Sequence, residues 1–419
     1  MIKRTLLCLI CVLVLLTRAS GETYRSKHFI IQSDLDPRYV HFVQANCEAF
    51  YESMVGRYFK IGWYEPLFIY YSKRQSDTRK LLEKHGLDND IGYGRYVDSI
   101  PAVYTHQLMD GGGGSGWGTL FHEMTHHFVK LNFKRAPAWF NEGLASFLGE
   151  QTRIVRGKLT VGLPNPWREQ ILRDKIENGF KPNVKRLCSM SSKRFYNWSV
   201  GYHFARALFY WLHEKGYLQQ YLEDVRSKGY ELSVLEEAVS KSYKQISIEL
   251  LRFIRKDCYA GAYFKDGQEA KGLDTKEQAF LKALELKPDY RAAQLELAWR
   301  YYHSNNYEEC QDYLRVILND TECKEYHGAN KLMGHCCYMS KDYKHASEYY
   351  QKALEYSDYY EYRYELYYWI GRCHHYLGDE TTAKRFYKVF LDNNWEPERL
   401  GAKVKYARAY LKRDDKRKK

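Results

Sequence analysis

"HEMTHHFVKLNFKRAPAWFNEGLASF", residues His122 to Phe147, sets His122, Glu123, His126 and Glu142 among apolar and basic neighbours. Just upstream and within it, Phe121, Met124, Phe128 and Leu131 recur at helical spacing, so "TLFHEMTHHFVKL" reads as a helix with one apolar face. His122 and His126 fall on another face one turn apart, where side chains have Cβ atoms about 5–6 Å from each other. Two imidazoles placed so can each bring a nitrogen to about 2.0–2.1 Å from one Zn²⁺. Glu123 projects about 100° further round the helix. It borders the metal without joining its shell, where a general base for metal-bound water belongs. The alternative is an amphipathic helix with a polar side and no chemistry.

Pro137 breaks this helix, and "AWFNEGLASF" begins another in which Trp139, Phe140, Leu144 and Phe147 surround Glu142. A carboxylate in so apolar a segment is costly unless a cation or metal satisfies it. The pairing of H-E-x-x-H with a later W-x-N-E-G-x-A resembles the gluzincin metallopeptidases, and "WFNEGLA" is close to the corresponding segment of the alanyl-aminopeptidase family. From "SKHFIIQSD" to "NEGLASFLGE" the layout looks still more like the peptidase MA-like group, over roughly Ser26 to Leu212. The resemblance implies an α+β, thermolysin/gluzincin-like domain that hydrolyses peptide bonds in a peptide or protein substrate. It implies His122, His126 and Glu142 as zinc ligands and Glu123 as the base.

A third element carries part of the same likeness. "YHFARALFYWL" starts with Tyr202 ten residues before Leu212, the spacing of the aminopeptidase helix whose leading tyrosine donates to the oxyanion. The resemblance therefore implies Tyr202 as that donor, with Tyr196 competing for the role. Two departures limit it. Only fifteen residues separate His126 from Glu142, fewer than in the better-known aminopeptidases, and no G-x-M-E-N segment is present to hold a free amino terminus. His127 points away from its neighbour and reads as a surface or supporting residue. His106 precedes the glycine-rich "DGGGGSGWG", read as a hinge or substrate-side loop, and as a fourth ligand it would close the metal shell.

The C-terminal part repeats. "LAWRYYHSNNYEECQDYLRVIL", "MGHCCYMSKDYKHASEYYQKAL" and "IGRCHHYLGDETTAKRFYKVFL" align without gaps at spacings of 36 and 37 residues. Small Ala298, Gly334 and Gly371 are each followed twelve positions later by compact Cys310, Ala346 and Ala383, as two closely packed helices require. Asn306, Asp342 and Asp379 are placed to cap the second helix of each pair. These copies resemble tetratricopeptide repeats, which implies an all-α solenoid over 256–419 with a surface for a protein partner, an earlier degenerate copy ending near Pro288 and a closing helix from Gly401 to Leu411. The many tyrosines read chiefly as packing between repeats, against a groove for an extended peptide or sugar chain.

The opening "MIKRTLLCLICVLVLLTRASGE" has a basic pair, a short apolar run and small residues before Glu22. It reads as a signal peptide over 1–21, leaving a metallopeptidase domain over 22–255 in a chain secreted or delivered to the periplasm. No later segment has the length of a membrane span. The chain of 419 residues carries a formal charge of +13, and losing Lys3, Arg4 and Arg18 with the signal leaves +10. The excess carries no nucleic-acid motif, so no nucleic-acid partner is expected, and the tail "LKRDDKRKK" reads as a solvated end. Ten cysteines less Cys8 and Cys11 leave eight. Export permits disulfides, but the spacings suit buried thiols at least as well.

The expectation is an exported zinc peptidase with a docking array. The alternative is a secreted, repeat-based interaction scaffold whose peptidase-like domain binds zinc without catalysis.

Overall fold

Runs of β-branched and aromatic residues set the sheet. In the computed structural model, residues 21–107, 116–155, 158–321, 323, 325–356, 360–392 and 400–415 are described. All but the last residue of the expected signal and most of the glycine-rich stretch after His106 lie outside the described residues. The chain divides into two units between Lys265 and Asp266.

In the first unit, strands β1 (Glu22–Arg25), β2 (Phe29–Ser33), β3 (Leu67–Ser72), β4 (Gly94–Val97) and β5 (Ala102–His106) form one sheet in the order β1-β2-β3-β5-β4. β2, β3 and β5 run parallel, with Ile31 beside Ile69 and Ile69 beside Val103, while β1 and β4 flank them antiparallel. Because side chains alternate along a strand, Ile69 and Tyr71 enter one core and Tyr70 another. The first core holds α1 (Pro37–Met54) through Val43, Cys47 and Phe50, and α3 (Gly116–Asn132) through Phe121, Met124 and Phe128. Phe50 and Phe121 stack with ring centroids 4.2 Å apart. The opposite face is covered by α2 (Gln75–Lys84), whose Leu82 packs with Tyr70 and Tyr104.

The helical pattern of "YVHFVQANCEAFYESMVGRYF" extends beyond the helix it forms. α1 stops at Met54 because Gly56, at φ +84°, turns the chain so that its amide donates to the Phe59 carbonyl. α4 (Ala138–Leu148) begins after Pro137 as expected, and the short hairpin β6 (Arg153–Val155) and β7 (Lys158–Thr160) follows. Helices α5 (Pro166–Glu177), α6 (Val184–Cys188), α7 (Ser192–Tyr196), α8 (Gly201–Glu214), α9 (Leu218–Lys228), α10 (Leu232–Val239), α11 (Tyr243–Phe253) and α12 (Tyr259–Glu269) complete this part of the chain.

Two glycines allow the helices around the site to touch. A Cβ on Gly143 would lie 2.8 Å from the Phe209 ring and 3.0 Å from Ala205, so α4 and α8 meet backbone to side chain. A Cβ on Gly149 would run into the backbone of His122, which binds the end of α4 to the middle of α3.

The second unit is helical. After α13 (Leu273–Leu286) come pairs α14 (Arg291–His303) with α15 (Tyr307–Leu318), α16 (Tyr326–Met339) with α17 (Tyr343–Glu355), and α18 (Tyr360–Tyr376) with α19 (Glu380–Asp392), then α20 (Gly401–Asp415). Gly334 receives the Tyr350 ring and Gly371 the Tyr387 ring, as small-against-large packing requires. Asp342 and Asp379 cap their helices by accepting from the amides of His345 and Thr382. Asn306 corrects the expectation, since it stands at the cap position without a side-chain bond. Each turn instead shares a left-handed residue just before the cap: Asn305, Lys341 and Gly378, at φ of +58°, +63° and +79°. Tyr350, Tyr364 and Tyr387 are buried as packing, whereas Tyr376 is exposed. The eight cysteines of the described residues are free thiols, with Cys310 Sγ 3.5 Å from Cys336 Sγ. No helix of the described residues is long and apolar enough to cross a membrane.

Substituting Gly149→Ala should lower stability by about 1–3 kcal/mol, the usual cost of overpacking. Gly92→Ala, whose Cβ meets nothing within 4 Å, should leave thermal denaturation unchanged and serves as the control.

Candidate metal centre

The i, i+4 spacing on α3 sets the His122 and His126 rings with centroids 4.7 Å apart. Ligating atoms of His122, Glu123 and His126 all lie within 4.8 Å of one another, and this group could hold a metal ion. Glu142, from α4, reaches the same point: its Oε2 lies 3.4 Å from His122 Nε2 and 3.7 Å from His126 Nε2. Its other oxygen, Oε1, accepts from the Tyr196 hydroxyl at 3.3 Å. The structure therefore brings the four residues of the opening stretch together from two helices.

Both imidazoles are held from behind. His126 Nδ1 lies 3.0 Å from Asn141 Oδ1, so the asparagine just before Glu142 sets the ring and leaves Nε2 facing inward. His122 Nδ1 faces Glu150 Oε1 at 3.4 Å, an ionic contact that falls short of hydrogen-bond geometry. Glu150 is itself gripped by Arg168, which donates to both carboxylate oxygens, with Nε 2.5 Å from Oε2, and by the Asn165 amide at 2.8 Å. None of Asn141, Glu150 or Arg168 was assigned a role from the sequence. Asn141 carried a signal by its place beside Glu142; Glu150 and Arg168 carried none.

The electrostatics follow from burial and three carboxylates. Burial alone would disfavour a charged imidazole, yet Glu142 and Glu150 push the His122 pKa up to about 10. Burial would also raise the Glu142 carboxyl, but the two imidazoles and Tyr196 hold it below its ordinary value. Arg168 overrides burial in the same way and keeps Glu150 well below the usual carboxylate range. The arrangement is built around a positive charge at the point where Glu142 meets the rings.

Glu123 turns the other way along α3, and its Oε2 accepts from the Tyr96 amide of β4 at 2.7 Å. Gly94 makes room for it, since a Cβ there would sit 3.0 Å from Glu123 Cγ. Glu123, His122, His126, Glu142, Tyr196 and Tyr202 all line one cavity of about 620 Å³. Tyr202, at the start of α8, has its ring centroid 6.3 Å from that of Tyr196, and its hydroxyl takes no hydrogen bond among the described residues. Burial, then Glu142, raises the Tyr196 pKa to about 12 and lifts Tyr202 further, so both are neutral donors.

His127 is buried, which corrects the surface reading. Its Nδ1 lies 2.7 Å from the Tyr96 hydroxyl and its ring meets Trp63 edge-on. Burial lowers its pKa to about 4, so it supports β4 as a neutral ring. His106 closes β5, buried, and is not among the residues that line the cavity.

No protein-family model matches the chain, and no curated protein sequence matches it.

Removing the asparagine that sets His126 should loosen the centre without unfolding it. Asn141→Ala is expected to weaken divalent-metal binding by about 10–100-fold, read by competition with a chromogenic chelator. Unchanged affinity would show that Asn141 does not orient the ring.

Proposed function

We propose that the chain is a zinc-dependent metallopeptidase of gluzincin type. The observation that carries this reading is the position of Glu142 Oε2 at 3.4 and 3.7 Å from the two imidazole Nε2 atoms. Donors bound tetrahedrally at 2.0–2.2 Å stand roughly 3.3–3.5 Å apart, so these separations match ligands around one small cation better than they match direct hydrogen bonds. Two imidazoles and a carboxylate are a donor set that zinc favours in catalytic sites, with a further position left for water or substrate. The buried carboxylate, unmatched by any guanidinium or ammonium of its own among the described residues, fits the same conclusion.

When bound, zinc supplies a Lewis acid that polarises a peptide carbonyl and makes water nucleophilic near neutral pH. The chain's own residues do the rest. Glu123, anchored at one oxygen by the Tyr96 amide, keeps the other to accept the proton of the attacking water and pass it to the leaving amine. Tyr202, with its hydroxyl uncommitted, donates to the carbonyl oxygen as negative charge develops. Tyr196 is committed to Glu142, which supports Tyr202 over Tyr196 for that donation. In this reading the chain is exported after loss of residues 1–21, and its helix pairs belong to the tetratricopeptide class and dock a substrate or protein partner.

The test is one paired measurement on the full chain. Wild type should bind one zinc and cleave casein; Glu123→Gln should keep the zinc and lose about a hundredfold to ten-thousandfold in rate, the usual range for a general base. Tyr202→Phe should lose about 10²–10³-fold in kcat, as oxyanion donors do. Zinc in both wild type and Glu123→Gln, with cleavage in neither, would overturn the enzymatic reading in favour of a zinc-binding scaffold.

A further inference from the structure

The connection between α3 and α4 is only five residues long, Phe133 to Pro137. Phe133 is buried at one end and Pro137 caps α4 at the other. Between them Arg135 is forced to φ +53°, a left-handed conformation that glycine adopts freely and arginine does not. The exposed Arg135 lines the same cavity as His122, Glu123 and Glu142. A long cationic side chain stands where the backbone favours glycine, at the wall of the centre, as strained positions at functional sites do.

The charges around it single it out. Three cations line this cavity: Arg95, Lys130 and Arg135. Arg95 pairs with Asp88 at 3.7 Å and donates to its carbonyl at 2.8 Å, and Lys130 pairs with Asp98. Of the cavity's acids, Asp98 pairs with Lys130, Glu142 meets the imidazoles and Tyr196, and Glu123 is bonded at one oxygen to the Tyr96 amide on the far side of α3. Among the described residues Arg135 has no acidic partner. Arg135 is thus the cavity's one cation without an acidic partner among the described residues, set on a five-residue turn in a lining that includes apolar Val129, Phe133 and Ala136. A guanidinium left free of acidic partners in a lining that is partly apolar is suited to a carboxylate, which it can bind through two parallel N–H donors.

We propose that Arg135 receives a carboxylate of the bound substrate and makes this cleft selective for peptides carrying one close to the scissile bond. The inference rests on the peptidase reading above, and it names the substrate class for that site. The carboxylate comes either from an Asp or Glu side chain or from a free C-terminus.

Four matched quenched-fluorescent peptides distinguish these sources: Glu or Gln beside the scissile bond, each with a free or an amidated C-terminus. The useful variant is Arg135→Gly, because glycine relieves the left-handed strain and so should fold at least as well, as thermal denaturation will show. Wild type should cleave either the Glu over the Gln peptide, or the free over the amidated terminus, with kcat/KM about tenfold or more higher. That ratio should fall to near one in Arg135→Gly. A ratio near one in wild type, or a ratio that survives the substitution, overturns the proposal. If wild type cleaves none of the four and leaves casein intact as well, the peptidase reading fails. Arg135 is then judged by fluorescence-anisotropy binding of the same peptides. Carboxylate-dependent binding lost in Arg135→Gly would uphold it, and equal binding would sink it.

Discussion

A carboxylate buried between two imidazoles constrains the first unit more than any other contact. Glu142 is only 8% exposed and lies in a helix whose other residues are almost all buried. An isolated ionised carboxylate in such surroundings costs far more than a small domain can absorb. It is tolerable here because α3 presents His122 and His126 to one of its oxygens and α7 presents the Tyr196 hydroxyl to the other. The close approach of α3, α4 and α8 follows from that requirement. Gly149 lets the end of α4 lie on the backbone of His122, and Gly143 lets its middle lie on Phe209.

The supporting residues show why position matters beyond identity. A histidine offers two nitrogens, and which one faces inward depends on what holds the other. Asn141 settles this for His126 from the residue next to Glu142, so a single turn of α4 supplies both the acid and the group that aims one of its partners. Glu150 serves His122 from just past Gly149. That site is costlier to build, because Glu150 is itself a buried charge and needs Arg168 from α5, with Asn165 at that helix's cap. Breaking a buried pair of this kind typically costs about 3–5 kcal/mol, so the hairpin and α5 are tied to the centre through Arg168 and Glu150.

How far the sequence discloses this depends on distance along the chain. The helical spacing of His122 and His126, and the anomaly of Glu142 among aromatics, are local features, and the structure joins them as their pattern suggests. Tyr202 and Tyr196 reach the same cavity, but in a chain with 40 tyrosines only the fold separates the one bonded to Glu142 from the one left open. Glu150 and Arg168 were illegible because each looks like an ordinary surface charge until the hairpin brings them to His122. In the repeats, small Gly334 and Gly371 followed twelve positions later by compact residues are visible in the sequence, whereas the packing of Tyr350 and Tyr387 onto those glycines is not. Nor is the shared left-handed turn, because Asn305, Lys341 and Gly378 have no chemistry in common. At α1 the apolar period of the sequence continues past Gly56, although the helix stops at Met54.

The charge balance of the centre shows what kind of ion it suits. Glu123, Glu142 and Glu150 are three carboxylates in contact with or beside the imidazoles, and among the described residues Arg168 is the one guanidinium bonded within the set. Arg168 answers Glu150, so Glu123 and Glu142 remain, and with neutral imidazoles the set carries a net charge of −2. A proton on His122 relieves half of this, which is why Glu142 and Glu150 draw one to it strongly. It does so poorly as a lasting arrangement, because a protonated imidazole is a donor at both nitrogens and has no lone pair left to bind anything. A divalent cation meeting both Nε2 atoms and Glu142 would neutralise the set and return the imidazoles to their neutral form. The same geometry that makes the buried carboxylate tolerable is thus one that could hold a metal ion.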